Sequence, residues 1–154
     1  MKKGLFSVGL AVALGAGSTV ALAQAKPEVL VKQRQAAMTL QGKYFGPLAG
    51  MAQGKVPYNH EVVVRNAGYL SALDKMPWDG FAESTKDVKD VKTAALPAIW
   101  SDAAKFKQAQ EHLQSEVSKL VQVSSSGNEA AVKTQIAAVG KACGGCHENF
   151  RQKQ

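Results

Sequence analysis

The sequence predicts an all-α protein that folds as an antiparallel four-helix bundle. Four segments place apolar residues at spacings of three and four, which is the period of an amphipathic helix. Turn-forming residues such as Gly, Pro, Ser and Asn separate these segments, and one of the connections is long. Only residues 62–64 form a strand-like run, and no segment sustains the two-residue alternation of a β-strand. Helices joined mostly by short turns pack side by side in alternating directions.

The first two helices are expected over residues 27–51 and 59–76. Pro27 suits a first helical turn, because its missing N–H would have no partner there. Pro77 is expected to stop the second helix. The residues expected on the inward face of the first helix are Leu30, Arg34, Ala37, Met38, Gln41, Phe45 and Leu48. Those expected on the inward face of the second helix are Val63, Ala67, Leu70 and Leu73.

A long connection over residues 77–97 follows the second helix and is rich in Asp and Lys. Trp78 and Phe81 are expected to anchor this connection to the core, because aromatic side chains bury a large apolar surface. A connection of this length in a small domain is usually functional or covers a site. We therefore expect the connection itself to be functional or to cover a site.

The last two helices are expected from a cap at Ser101 or Asp102 to about residue 123, and over residues 129–152. Ser and Asp are favoured caps, because their side-chain oxygens accept hydrogen bonds from the free backbone N–H groups of a helix start. The inward residues of the third helix are expected to be Phe106, Ala109, Leu113, Val117 and Leu120. Those of the fourth helix are expected to be Val132, Ile136, Val139, Cys143, Cys146 and Phe150.

Residues 1–23 have the pattern of a cleaved signal peptide. Two lysines precede an apolar run, and the tripeptide Ala-Leu-Ala at 21–23 matches a small-x-small cleavage site. A membrane-spanning helix is the alternative, but the run is short and is interrupted by Gly, Ser and Thr. We therefore expect export to the periplasm of a Gram-negative bacterium. Cleavage leaves residues 24–154, which is enough for one domain with a single core.

The expected mature chain is moderately basic, with 17 Lys and Arg residues against 12 Asp and Glu residues. The basic residues are dispersed along the chain rather than clustered. Such a surface suits a soluble protein that meets acidic partners or membrane faces. An exported chain without a stripe of basic and aromatic residues is not expected to bind nucleic acid.

The strongest chemical signal is the motif Cys143-Gly144-Gly145-Cys146-His147, which fits the attachment pattern of c-type haem. On a helix, residues three apart lie on the same side, so both sulfurs can bond to one porphyrin. The next residue is turned by about 100°, which lets its imidazole reach the iron. The sequence therefore predicts one covalent haem c, held through both cysteines, with His147 as the axial ligand of the iron.

Three other interpretations of the cysteine pair are open. A thioredoxin-type redox dithiol lies at a helix start beside a strand, whereas this pair lies near the end of the last helix. A structural zinc site needs about four ligands, and only His60 and His112 lie outside the motif. A disulfide would suit an exported protein, but it leaves the adjacent His147 unexplained.

Three stretches of the chain, together with the motif, resemble the class II cytochromes c, and within them the cytochrome c-prime family. The stretch 140–151, GKACGGCHENFR, is similar to the family's C-terminal signature. Residues 25–28 and 34–40 resemble its first helix, and residues 97–106 resemble the start of its third. The resemblance spans the chain that follows the predicted signal peptide and implies a four-helix bundle, commonly a homodimer.

The resemblance also implies roles for individual residues. His147 matches the proximal ligand, and Arg151 would lie beside its imidazole. Arg34 matches the position that pairs with a haem propionate, and Met38 matches the distal position that faces the iron. The residues that match aromatic side chains closing the pocket are Trp78 and Phe81. Members of the family are typically high-spin and five-coordinate, bind NO and CO, and are linked to electron transfer; the physiological redox partner of this chain is not implied.

A second branch of the same class implies a different iron site. Its members are six-coordinate and low-spin, with a methionine of the first helix as second axial ligand, and Met38 lies at about that position. Such a protein would be a simple electron carrier. An enzyme such as a peroxidase is not expected, because a distal acid–base pair is not evident in the sequence.

Overall fold

Four long helices surround one apolar core, which confirms the predicted bundle. The structure, a computed structural model, describes residues 25–153, and the predicted signal peptide at residues 1–23 lies outside the described part. A single-turn helix, which the periodicity did not predict, precedes the third long helix. The helices are Pro27–Ala52 (α1), His60–Leu73 (α2), Ala98–Ser101 (α3), Ala103–Ser124 (α4) and Glu129–Phe150 (α5). No helix among residues 25–153 is long and apolar enough to cross a membrane.

The boundaries of α2 follow from local chemistry. The side chain of Asn59 caps its start, with Oδ1 accepting a hydrogen bond from the backbone N–H of Val62 at 2.9 Å. The helix ends at Leu73, three residues before the predicted end at residue 76. Pro77 has no backbone N–H to donate to the carbonyl of Leu73, four residues earlier, so the helix cannot continue through it. This early end places Asp74 at the C-terminal cap.

The third and fourth long helices are also capped by side chains. Asp102 accepts a hydrogen bond from the backbone N–H of Lys105 at 3.3 Å, and its non-helical backbone separates α3 from α4. Asn128 accepts from the backbone N–H of Ala131 at 3.1 Å. α5 ends at Phe150, two residues before its predicted end, because Arg151 takes an extended conformation. Arg151 then pairs with Ala95 in an isolated antiparallel bridge.

The core is formed where α1 packs on α2 and α5, and α4 packs on the same two helices. Most of the predicted inward residues are buried, but near the start of α1 Val31 is fully buried and Leu30 is half-buried. Other residues that were not predicted to face inward are also buried, among them Met51, Asn66, Glu116 and Ala142. Cys143 and Cys146, which were predicted inward, are half-buried. The buried side chains of this core are Leu48, Met51, Val63, Ala67, Leu70, Leu113, Val117, Leu120, Val132, Ile136, Val139 and Ala142.

A second apolar cluster, which we call the aromatic cluster because half of its side chains are aromatic, lies around Phe106 of α4. The Phe106 ring packs edge-on against Phe81 with centroids 4.9 Å apart, and against Phe150 at 5.2 Å. Trp78 packs against Phe106 at 6.1 Å. These contacts anchor the long connection to α4 and α5, so that it borders the space between the helices.

Candidate functional site

The residues singled out in the sequence meet at one cavity of about 440 Å³. Its wall is formed by α1, α4, α5, the end of α2 and the long connection. A cavity of this size is typical of small-molecule and cofactor sites, which span about 300–1,000 Å³. All eight predicted site residues line it: Arg34, Met38, Trp78, Phe81, Cys143, Cys146, His147 and Arg151.

Cys143 and Cys146 lie three residues apart on α5 and are both free thiols, half-buried. Cys143 packs against the main core and Cys146 against the aromatic cluster. Burial raises the pKa of the Cys143 thiol, and the neighbouring Cys146 raises it further; burial also raises the pKa of Cys146. A reactive redox dithiol needs a lowered thiol pKa, so this environment disfavours the thioredoxin interpretation.

His147 follows the cysteines and lines the same cavity. Burial lowers the pKa of its imidazole, and the positive charge of Arg151 lowers it further. A neutral imidazole is the form that coordinates a metal. Among the residues the structure describes, no group of three or more His, Cys, Asp or Glu side chains could hold a metal ion by itself. The site therefore suits a cofactor that brings its own iron better than it suits a bare zinc ion.

Arg34 extends from α1 to the long connection and is only 4% exposed. Its Nη1 donates a hydrogen bond to the carbonyl of Gly80, and Nη2 donates to Oγ1 of Thr93 at 2.7 Å. The guanidinium also lies 4.5 Å from the centroid of the Phe81 ring. Burial lowers the pKa of Arg34. Within residues 25–153 no carboxylate pairs with Arg34. An anionic group inside the cavity would therefore neutralise its buried positive charge.

Gly80 allows the long connection to approach α1 closely. A Cβ atom on Gly80 would lie 2.4 Å from the Cβ of Arg34 and 2.7 Å from the backbone oxygen of Leu30. Both distances are too short for non-bonded atoms, so a glycine is required here. The sequence contains no signal that distinguishes this glycine from the others, because its role depends on the path of the connection.

Met38 reaches the cavity from α1, one turn after Arg34. Phe45, from two turns further along α1, and Leu70 of α2 extend the apolar wall on this side. Gln41 also borders the cavity, but its Nε2 donates to the backbone oxygen of Leu73 at 2.9 Å. The wall around Met38 is therefore largely apolar.

The last residues of the chain are held against the cavity by backbone hydrogen bonds. The N–H of Leu96 donates to the carbonyl of Phe150 at 3.0 Å, and the N–H of Gln152 donates to the carbonyl of Ala94 at 2.8 Å. We call this pairing of residues 94–96 with residues 150–152 the C-terminal strap. It holds the long connection beside His147, whose carbonyl accepts from the N–H of Arg151 at 3.1 Å.

Asp74 is a cavity residue that the sequence analysis did not identify. Its side chain is only 3% exposed, and Oδ1 has no hydrogen-bond partner among the described residues. Burial raises the pKa of this carboxyl to about 6, although Lys75 lowers it in part. The periodicity placed residue 74 inside a longer second helix, so no pattern marked it as a cap that borders a site.

Comparisons with known proteins agree on one family. The family model described as Cytochrome C' matches residues 29–151. The cytochrome c' of Rubrivivax gelatinosus is 40% identical over 128 residues, which cover 83% of this chain and 98% of that protein. The crystal structure of that cytochrome superposes with a TM-score of 0.78 at 39% identity, covering 82% of this chain and 98% of the other.

Two solved structures of cytochrome c prime from Alcaligenes xylosoxidans contain gas ligands. The nitric oxide complex of a leucine-to-isoleucine variant has a TM-score of 0.74 at 36% identity, covering 84% of this chain and 98% of that one. A glycine variant of the same protein with bound carbon monoxide has a TM-score of 0.75 at 36% identity, with the same coverage of both chains.

Proposed function

Because the chain belongs to the cytochrome c' family, whose members bind covalent haem c, we propose that it is an exported haem protein that binds NO and CO and takes part in electron transfer. The observation that carries this proposal is the cavity itself. It gathers the attachment motif on α5, a buried arginine that has no carboxylate partner among residues 25–153, and an apolar wall around Met38. The predicted signal peptide supports export to the periplasm.

The residues of the cavity fit the parts of a haem. Cys143 and Cys146 would form the two thioether bonds, and His147 would be the axial ligand. Arg34, which is buried without a carboxylate partner in the described chain, would pair with a propionate. The iron of the bound group supplies the site for a gas and the one-electron redox change. The side chains that would enclose it further are Trp78, Phe81 and Arg151.

The wall around Met38 determines which ligands could reach the iron. Apolar side chains exclude charged ligands, because an ion would lose its hydration without gaining a partner. Small neutral gases lose little hydration there. The nitric oxide and carbon monoxide complexes of the Alcaligenes xylosoxidans relatives support NO and CO as the ligand class.

A peroxidase function is not part of this proposal. Peroxidase chemistry requires an acid–base group and a charge-stabilising group directed at the bound peroxide. Arg34 is instead held by Gly80 and Thr93. Rapid oxidation of a reducing dye in the presence of peroxide would contradict the non-enzymatic assignment.

A six-coordinate electron carrier is the second candidate, because Met38 lines the cavity and its thioether could bind iron. Absorption spectra of the reduced protein separate the two candidates. We expect a high-spin spectrum in the wild type and in Met38→Ala, with the affinity for carbon monoxide changed by up to roughly tenfold, or about 1.4 kcal/mol. Only the lining of the gas site changes in this variant, so the coordination number stays the same.

Met76→Ala is the matched control for that experiment, because Met76 is 58% exposed. It should leave both the spectrum and the gas affinity unchanged. Sharp low-spin bands in the reduced wild type, which Met38→Ala converts to a high-spin spectrum, would contradict the five-coordinate proposal. That result would make Met38 the second axial ligand.

A homodimer completes the proposal. Helices α1 and α2 pack on each other and leave several large apolar side chains exposed: Val29, Leu40, Val64 and Tyr69. A second copy of the chain would remove this surface from water. Native mass measurement of the purified protein should give twice the mass of one haem-containing chain, and the mass of a single chain would contradict it.

A further inference from the structure

Asp74 is held firmly at the edge of the cavity by contacts that do not involve its carboxyl group. Its backbone oxygen accepts hydrogen bonds from Nε1 of Trp78 and from Nε2 of Gln114. The side chain is 3% exposed, and its Oδ1 is buried without a partner among residues 25–153. A buried carboxylate oxygen that lacks a hydrogen bond is costly, and this cost favours the neutral carboxylic acid.

Few charged groups lie where they could stabilise the carboxylate form of Asp74. Lys75, the next residue, lowers the pKa of Asp74, but burial outweighs it and the pKa rises to about 6. The neighbouring α1 and α4 present the neutral amides of Gln41 and Gln114 near this end of α2, and the connection presents Trp78. The other titratable or charged groups that line the cavity are Arg34, Cys143, Cys146, His147 and Arg151.

Arg34 and Arg151 are not bonded to this carboxyl. The guanidinium of Arg34 is directed to Gly80 and Thr93, and Arg151 lies beyond α5 with its side chain exposed. Both thiols would be consumed by thioether bonds, and His147 would be held as an iron ligand. Asp74 is therefore the carboxyl of the described cavity that is free to exchange a proton.

We propose that Asp74 takes up a proton when the haem iron in this cavity is reduced, which couples electron transfer to proton transfer. One electron from an external redox protein converts iron(III) to iron(II), and one proton from water converts the Asp74 carboxylate to the carboxylic acid. The net charge of the cavity is then unchanged. On oxidation the electron returns to an external acceptor, and the proton returns to solvent. The proposal rests on the haem site of the proposed function.

The sign of the coupling follows from electrostatics. Reduction adds a negative charge to a low-dielectric cavity, which disfavours the carboxylate and raises the pKa of Asp74 by roughly one unit. Reduction is therefore easier at a pH well below the pKa of Asp74, where the carboxyl is already neutral in the oxidised protein. It is harder at a pH well above that pKa, where the carboxylate remains charged. Over the whole titration the equilibrium constant for reduction should fall about tenfold, which corresponds to about 59 mV for one electron.

Spectroelectrochemical titration of the haem-containing protein over a pH range that brackets the pKa of about 6 tests the proposal. In the wild type and in Asp74→Glu, the equilibrium constant for reduction should fall about tenfold as the pH rises through this range. Asp74→Asn should lose this part of the pH dependence. Asp79→Asn is the matched control, because Asp79 is exposed, and it should behave as wild type. Asp74→Asn is nearly isosteric and should fold normally.

Redox-difference infrared spectra provide a second readout that does not depend on the potential. A carboxylic acid C=O band should appear on reduction of the wild type and be absent in Asp74→Asn. The proposal would be overturned if Asp74→Asn kept the pH dependence of the wild-type reduction potential. It would also be overturned if this variant kept the carboxylic acid C=O band. If the haem site itself were wrong, no variant would contain covalent pigment, so the two failures are distinguishable.

Discussion

Replacing Cys143 and Cys146 together by alanine is expected to give a protein without covalent pigment. These are the two cysteines of the whole chain, and both line the cavity beside His147. Without sulfur at these positions no thioether bond can form, and any haem that binds would be held only by the axial ligand and packing. Mass spectrometry of the denatured protein should give the mass of the bare polypeptide, whereas the wild type should carry one haem.

Gly144→Ala is the matched control, because it changes the same motif but keeps both cysteine thiols and the imidazole of His147. A Cβ atom on Gly144 meets nothing within 4 Å. Alanine also favours a helix over glycine by up to about 1 kcal/mol, so the variant should attach haem fully. Attached haem in the double cysteine variant, or its loss from the control, would contradict the assignment of the cysteines as attachment sites.

Gly80→Ala is expected to destabilise the folded protein by roughly 1–3 kcal/mol, the usual cost of overpacking. The added methyl group would clash with the backbone oxygen of Leu30 and the Cβ of Arg34, neither of which can rotate away. The connection would have to move off α1 and lose the hydrogen bond from Arg34 to the Gly80 carbonyl. Denaturant unfolding measures the change in free energy, and the haem spectrum reports whether the cavity is disturbed.

Gly68→Ala makes the same substitution on the exposed face of α2, where a Cβ atom meets nothing within 4 Å. It should stabilise the protein by up to about 1 kcal/mol, because alanine is the better helix former. If both variants were equally stable, the close approach of the connection at Gly80 would not be a constraint in solution.

The fold was predictable from sequence because its long helices have apolar residues at spacings of three and four, and three of them, α2, α4 and α5, begin at a side-chain cap. The third long helix was predicted to begin at a cap on Ser101 or Asp102, and Asp102 is the cap, because its Oδ1 accepts a hydrogen bond from the free backbone N–H of Lys105. The ends were less predictable. Arg151 leaves α5 early to pair with Ala95, a contact between residues far apart in the chain that no local pattern encodes.

The residues of the candidate site also fall into a group that was predictable from local sequence and a group that was not. The cysteines and His147 form a local motif, so spacing alone indicated their chemistry. Gly80 and Thr93 hold Arg34 because the long connection folds back over α1. Asp74 borders the cavity because α2 ends early, at Leu73. The connection contains only two short 3-10 turns, Trp78–Phe81 and Glu83–Thr85, which leave no long periodic signal. These residues could therefore be found only from the structure.

The C-terminal strap has a practical consequence for handling the protein. If the signal peptide is removed during export, a tag placed ahead of it is lost, which favours a tag that follows α5. Residue 152 does not belong to a free tail, because its backbone N–H donates to the carbonyl of Ala94 beside the cavity. A flexible spacer between residue 153 and the tag would leave this pairing, and the position of the long connection beside His147, undisturbed.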